Sequence, residues 1–266
     1  MPVRVAVPIR PLESEDFRRL DFRVMKHAFD CQNSLGRLAD EEVYKNDLAL
    51  LLSENQFGVD REVKVEVAFG DFVKPYFLDV VVDQRGVYEL KVVRKLTAEH
   101  RHQLLHYLRL IDCPRGKLVN FGGTSVESEF VNAGLSLDER QRFVWDRTNL
   151  DPLSPLYDLV EPVLRDLGTG LNLSLYSELF KSQTLPGLPD APLHTMVPMS
   201  RWNNPLGSQR FVLTAPDRAM RLTAFRSVSD GYQEQLRKLI RPTPLHSLDW
   251  INISLTEVTA TTIQNH

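Results

Sequence analysis

Cysteine is nearly missing from this chain: Cys31 and Cys113 are the only two among 266 residues. Two are too few for a disulfide framework and fit a reducing compartment. Long hydrophobic runs are missing as well. No apolar stretch can span a bilayer, and Pro2, Pro8, Pro11 and a charged run break residues 1–20, so neither a membrane partner nor a secretory leader is expected. The expected location is the cytoplasm. Neither sign of charge dominates: 32 Lys and Arg stand against 35 Asp and Glu, a net charge of -3. That gives no global pull toward nucleic acid, and any polyanion would need a local basic surface. A P-loop and a Gly-x-Ser-x-Gly motif are also lacking, and Gly168 and Gly170 follow no expected strand. Nucleotide-cradling, dinucleotide-binding and serine-hydrolase chemistries therefore have no anchor here.

What is present is ordinary globular material, 42% hydrophobic and 25% charged, enough for one large domain or two modest ones. The most informative stretch is residues 76–91. Phe77-Leu78-Asp79-Val80-Val81-Val82 and Val87-Tyr88-Glu89-Leu90-Lys91 are rich in β-branched and aromatic residues, and Asp83-Gln84-Arg85-Gly86 between them supplies turn chemistry. The segment predicts a β-hairpin. Alternation puts Glu89 and Lys91 on one face and Tyr88, Leu90 and Val92 on the other, while Asp79 shares a face with Phe77 and Val81. Carboxylates among such neighbours are costly to desolvate without a cation or donors. Two acids and a lysine gathered this way mark a candidate site; the competing reading is a Glu–Lys pair that merely ties the hairpin.

Around the hairpin, helical spacing is expected over residues 22–32 and 40–54, the second with Val43, Leu48, Leu50, Leu51 and Leu52 available for a buried stripe. Residues 61–69 alternate as a strand with Val63, Val65, Val67 and Phe69 on one face. Thr97 can cap a helix running to about Ile111, on which Gln103 and Tyr107 are i,i+4 neighbours. Strands follow at 117–121 and 125–131. Between Lys91 and Lys117 the basic residues Arg94, Lys95, Arg101, Arg109 and Arg115 face only Glu99 and Asp112, a candidate polyanion surface or simply a solvated face.

This order of elements, with these residues in them, resembles the PD-(D/E)XK nuclease superfamily, and within it the bacterial GxxExxY proteins. The resemblance covers roughly residues 21–121. The family's first motif, Leu-Gly-x-Gly-x-x-Glu-x-x-Tyr, stands here as Leu35-Gly36-Arg37-Leu38-Ala39-Asp40-Glu41-Glu42-Val43-Tyr44, with Leu38 in place of the second glycine. Asp79, Glu89-Leu90-Lys91, Gln103 and Tyr107 supply the rest. The resemblance implies a mixed-sheet α/β (α+β) fold and a metal-dependent phosphodiesterase. Its catalytic residues would be Asp79, Glu89 and Lys91, and its metal ligands Glu41, Asp79 and Glu89. Tyr44, Gln103, Tyr107, Arg94 and Lys95 would support the site or touch substrate. The implied cofactor is Mg2+ or Mn2+, since a hard octahedral ion is held by a few carboxylates. The implied partner is nucleic acid, DNA ahead of RNA.

The second half repeats the first at a constant offset, without a gap. Leu35-Gly36 returns as Leu167-Gly168, Tyr44 as Tyr176, Val80 as Val212, Leu90 as Leu222, Gln103-Leu104 as Gln235-Leu236 and Asn120 as Asn252. Two copies, 1–132 and 133–266, are expected, paired pseudo-symmetrically within the chain. Along the same offset Glu41, Asp79, Glu89 and Lys91 become Leu173, Phe211, Arg221 and Thr223. The second copy is therefore expected to be a degenerate pseudo-domain, either scaffold or a presenter of Arg221, Arg226, Arg237, Lys238 and Arg241 to a partner. Residues 138–142 look helical, Asp151-Pro152 and Ser154-Pro155 mark a break, and Pro186-Gly187-Leu188-Pro189 reads as a loop. The leading expectation is one nuclease site per chain. The alternative is an inactive nuclease-fold protein serving nucleic-acid binding or protein assembly.

Overall fold

The alternation Val63, Val65, Val67 places three valines on the buried face of a long strand. The computed structural model describes residues 2–185, 192–227 and 230–265. The chain divides into two compact units, Met1–Val67 with Val73–Ser136, and Ala68–Phe72 with Leu137–His266. The first unit runs Val3–Val5 (β1), Ser14–Leu35 (α1), Glu41–Glu54 (α2), Val59–Phe69 (β2), Phe72–Val82 (β3), Gly86–Lys91 (β4), Ala98–Leu110 (α3), Arg115–Asn120 (β5) and Glu127–Asn132 (β6). Its strands form one mixed sheet in the order β1-β2-β3-β4-β5-β6. β3 and β4 pair antiparallel through the expected turn, whereas β4 and β5 run parallel, with α3 as the crossover that parallel neighbours require.

Helices α1 and α2 cover a core of Val24, Ala28, Tyr44, Leu48, Leu52, Val80, Tyr88, Leu90, Val119 and Phe121. In α2 the buried stripe differs from the expected one. Tyr44, Leu48 and Leu52, four apart, point inward, while Val43 and Leu50 are exposed. A spacing of four keeps one helical face, and Leu50 lies off it. β1 was not legible, because three residues among prolines carry no alternation of their own; it forms by pairing Val3 with Val67 and Val5 with Val65.

The second unit runs Leu137–Gln141 (α4), Val144–Asn149 (β7), Val160–Leu167 (α5), Leu173–Thr184 (α6), Thr195–Arg201 (β8), Asn204–Ala215 (β9), Arg218–Thr223 (β10), Asp230–Ile240 (α7), Ser247–Ile253 (β11) and Glu257–Gln264 (β12). Its sheet has the order β7-β12-β11-β10-β9-β8. The loop expected at Pro186-Gly187-Leu188-Pro189 lies outside the described residues. Among the described residues no helix is long and apolar enough to cross a membrane.

From the second helix onward the two units share one plan, a mixed α+β fold in two similar halves. β4 and β10 both lie next to a parallel neighbour. The offset that carries Leu35 to Leu167 also carries Gly86, which opens β4, to Arg218, which opens β10, and Glu41, which opens α2, to Leu173, which opens α6. Side-chain devices recur with the elements. Tyr44 Oη donates to the Gly36 carbonyl and Tyr176 Oη to the Gly168 carbonyl, each glycine closing a helix at φ 73° or 74°. Asn120 receives Val93 N–H at 2.9 Å and donates to Val93 O at 2.8 Å; Asn252 does the same to Phe225 at 2.7 and 3.0 Å.

Two features break the parallel. The sixth strand joins opposite edges: β1 flanks β2, the first strand of the shared five, but β7 flanks β12, the last. The buried charge on the fifth-strand position also changes sign. Lys117 on β5 lies 2.8 Å from Asp21 and over the Phe130 ring. Asp249, its counterpart on β11, instead accepts from Ser154 Oγ and Thr262 Oγ1 at 2.6 Å and from Arg218.

Each asparagine ties both backbone groups of the loop after the central strand, so its loss orphans a part-buried donor and acceptor. Asn120→Ala and Asn252→Ala are each expected to cost about 2–3 kcal/mol in urea unfolding. Asparagines of no structural weight would leave the midpoint unchanged.

Candidate active site

β3 and β4 separate where charge enters them. Their last paired residues are Val80 and Tyr88, and one step further come Asp79 and Glu89. There Asp79 Oδ2 accepts the Leu90 N–H at 2.8 Å, so a side chain takes a hydrogen bond from the strand backbone. Glu89 is 2% exposed, and its Oε1 accepts from Lys91 Nζ at 2.8 Å. Glu41, the first residue of α2, brings Oε1 to 3.9 Å from the same Lys91 nitrogen. One lysine thus links the helix acid to the strand acid.

A second lysine, not singled out by sequence, neutralises the other acid. Lys45 lies one turn beyond Glu41 on α2, with its side chain 7% exposed. Its ammonium is 3.3 Å from Asp79 Oδ1 and 3.2 Å from Glu42, and it also donates to Glu62 on β2. A lysine between Tyr44 and the next apolar residues reads as a solvated helix position. Only the i,i+4 spacing from Glu41 placed it on the same face.

The electrostatics follow from burial. Desolvation, aided by the nearby Asp79 carboxylate, pushes Glu89 up to about 8 despite Lys91. Glu41 is raised by desolvation too, with Lys91 opposing. Burial works against charge on Lys91, yet Glu89, Glu41 and Asp79 outweigh it and hold its pKa above the ordinary lysine value. Lys45 behaves alike: desolvation opposes its charge, and Glu62, Asp79 and Glu42 more than compensate. Both ammoniums are fixed cations at neutral pH.

On α3, Gln103 Nε2 donates to Tyr107 Oη at 3.2 Å. The Tyr107 hydroxyl is raised mainly by burial and further by Glu89 and Asp79, which places it within their field. Tyr44 is fully buried, stacked on Phe121 at 4.5 Å and bonded to Gly36. It holds the start of α2, and with it Glu41, rather than facing the acids. Arg94 and Lys95 are exposed on the loop between β4 and α3. The rest of the basic run is largely consumed by the fold. Arg101 forms two 2.7 Å bonds to Glu129, Arg109 donates to Ala133 O, and Lys117 is buried on Asp21. The broad basic surface expected from composition is thereby reduced to the loop cations.

The corresponding place in the second unit is filled differently. Phe211 packs with Leu248 and Trp250 in an apolar core, and Thr223 accepts from Trp250 Nε1 at 2.9 Å and donates to Asn252 at 2.8 Å. Lys45 and Glu62 become Ser177 and His194 along the same offset. Acids and lysines are replaced together, as members of one network would be.

Among the described residues no three His, Cys, Asp or Glu side chains are gathered as a ready metal cage. Each of the three acids lies within 4 Å of a lysine ammonium, Asp79 of Lys45 at 3.3 Å and Glu89 and Glu41 of Lys91 at 2.8 and 3.9 Å. The donor chemistry nonetheless fits a hard cation: carboxylate oxygens from Asp79, Glu89 and Glu41, with no soft ligand near. An acid, a Glu-x-Lys pair on the next strand and two flanking helices define a nuclease-like α+β domain. Residues 18–132 match the family model of the PD-(D/E)XK nuclease superfamily. No curated protein and no solved structure matches the chain.

Two outcomes are expected. Lys45→Met leaves the buried Asp79 without its ammonium, Glu62 being open to water, and should cost about 3–5 kcal/mol in chemical unfolding. An effect below about 1 kcal/mol would reduce the pair to a surface contact. Glu89 is raised relative to the unfolded chain, so the wild type loses stability as pH climbs from the ordinary carboxylate range to about 8, and the loss is complete above it. In chelator, Glu89→Gln should therefore gain melting temperature over wild type as pH rises through that window. Parallel curves would show that Glu89 ionises normally.

Proposed function

We propose that the first unit is a divalent-metal-dependent nuclease hydrolysing phosphodiester bonds in DNA, with RNA as the second substrate class, at one site per chain. The carrying observation is the convergence of Glu41, Asp79, Glu89 and Lys91 at the parting of β3 and β4. The superfamily match over residues 18–132 supports the same reading. We read its branch as that of the GxxExxY proteins, from Leu35-Gly36 through Glu41 to Tyr44. The second unit we read as a duplicated copy that has lost the chemistry.

Asp79, Glu89 and Glu41 would hold the ion, Mg2+ or Mn2+. When bound, such an ion supplies positive charge to the phosphate and lowers the pKa of a bound water. Lys91, kept protonated by its three carboxylate neighbours, suits charge stabilisation of the pentavalent transition state better than proton abstraction. Tyr107, with Gln103 behind it, can orient a phosphate oxygen or a water through its hydroxyl. Lys45 is a positioning residue that fixes Asp79 against β4. Arg94 and Lys95, exposed beside the site on its loop, can meet the substrate backbone.

The competing reading is an inactive nuclease-fold protein whose lysine–carboxylate network is purely structural; the direct pairing of Lys45 with Asp79 favours it. Incubating the chain with single-stranded, duplex and structured DNA and RNA, with magnesium or manganese, separates the two. Cleavage should fall by about two to three orders of magnitude in Asp79→Asn, Glu89→Gln and Lys91→Ala, while Phe211→Leu in the second unit leaves it unchanged. Intact substrates under every condition, or variants that cut like wild type, would sink the nuclease reading.

A further inference from the structure

The β8–β9 hairpin of the second unit carries a side chain that the fold does not ask for. Arg201 pairs with Asn204, which leaves Trp202-Asn203 as a two-residue turn with φ 51° and 64°. Such turns need left-handed backbone at both positions and are normally built from Asn, Asp or Gly. A bulky aromatic there is a true outlier. The matching turn of the first unit shows what backbone economy selects: the counterpart of Trp202 along the repeat is Gly70, at φ 54°. Tryptophan thus stands where glycine would be freer, and it buries almost nothing in return, being 86% exposed.

The surroundings of that ring are of one sign. Arg201 places its guanidinium 5.2 Å from the Trp202 ring centroid. Arg210, opposite Met196, lies five residues down the ribbon from Arg201 and on its other face, so Arg201 is the cation at the ring itself. Neither arginine has a carboxylate partner among the described residues, and no Asp or Glu stands between Asp190 and Asp217. An exposed aromatic face beside an unpaired guanidinium, on a hairpin whose own sequence carries no acid, is the chemistry that holds an unpaired base by stacking and its phosphate by charge.

We propose that the tip of the β8–β9 hairpin is a binding site for single-stranded nucleic acid, with a base stacked on Trp202 and the adjoining backbone phosphate met by Arg201. Duplex bases are already stacked on each other and offer no free face. The site requires no metal and none of the residues at the parting of β3 and β4, so it gives the second unit a task of its own.

The test uses the full chain carrying Lys91→Ala, in chelator, with labelled oligodeoxythymidine and oligouridine of about ten nucleotides followed by fluorescence anisotropy. Stacking reads the base and not the sugar, so binding of either supports the inference. Trp202→Gly should weaken binding by roughly 5- to 100-fold, and Trp202→Phe should recover most of it. Trp202→Gly should also melt no lower than the parent chain, because glycine suits the turn. Affinity should fall with salt at a slope of roughly -0.7 per phosphate contacted. Several results would overturn the proposal: equal binding by Trp202→Gly, a clearly lower melting temperature for it, or polyglutamate competing as well as the oligonucleotide. So would self-association of the parent chain that the glycine variant abolishes. Binding without any cleavage by the Lys91 chain leaves this site in place, so its failure and that of the nuclease reading are told apart.

Discussion

Burying two carboxylates on adjacent strands is the constraint on which the candidate site of the first unit depends. Asp79 and Glu89 sit beyond the last paired residues of β3 and β4, where water cannot solvate them fully. A buried acid is retained only when cations or donors meet it. With α2 packed on the sheet through Tyr44, Leu48 and Leu52, that requirement is met by Lys45 reaching Asp79 and by Lys91 lying between Glu89 and Glu41. The Tyr44 bond to Gly36 sets where α2 begins, and with it the place of Glu41.

The second unit shows the same scaffold relieved of that constraint. With Phe211, Arg221, Thr223 and Leu173 at the matching positions, Phe211 joins Trp250 in an apolar cluster, and a hydroxyl stands where the first unit has an ammonium. What persists is what the backbone needs: a glycine ending a helix, a tyrosine bonded to it, and an asparagine tying a loop. Identities shared between the halves are thus structural, and the acids and lysines of the first half lie outside that shared set. The fold does not require them.

Much of this was readable from residues alone, for definite reasons. Alternation in β2, β3 and β4, turn chemistry at Asp83 to Gly86 and the repeated Leu-Gly, Tyr and Asn positions are local or periodic signals, and the structure places the elements accordingly. Features set by partners distant in sequence were not readable. Lys45 looks like any helix lysine until Glu62 and Asp79 are brought to it. The basic run from Lys91 to Lys117 looks like a surface until Glu129 and Asp21 claim two of its members. β1 and β7 join opposite sheet edges although the sequence carries them in comparable places, because edge pairing depends on which neighbour has free backbone groups.

That choice of edges leaves β8 as a terminal strand, whereas its first-unit counterpart β2 is covered by β1. A bare edge is a row of amide donors and carbonyl acceptors, an invitation for another chain to continue the sheet. Pro198 sits in the middle of β8, opposite Ser208. Having no N–H, it leaves a gap in that row, and a strand arriving from outside would find its hydrogen-bond ladder interrupted there. Two residues on, the Ser200 N–H is already taken by the Pro242 carbonyl at 2.8 Å, so the same row lacks a free donor there as well.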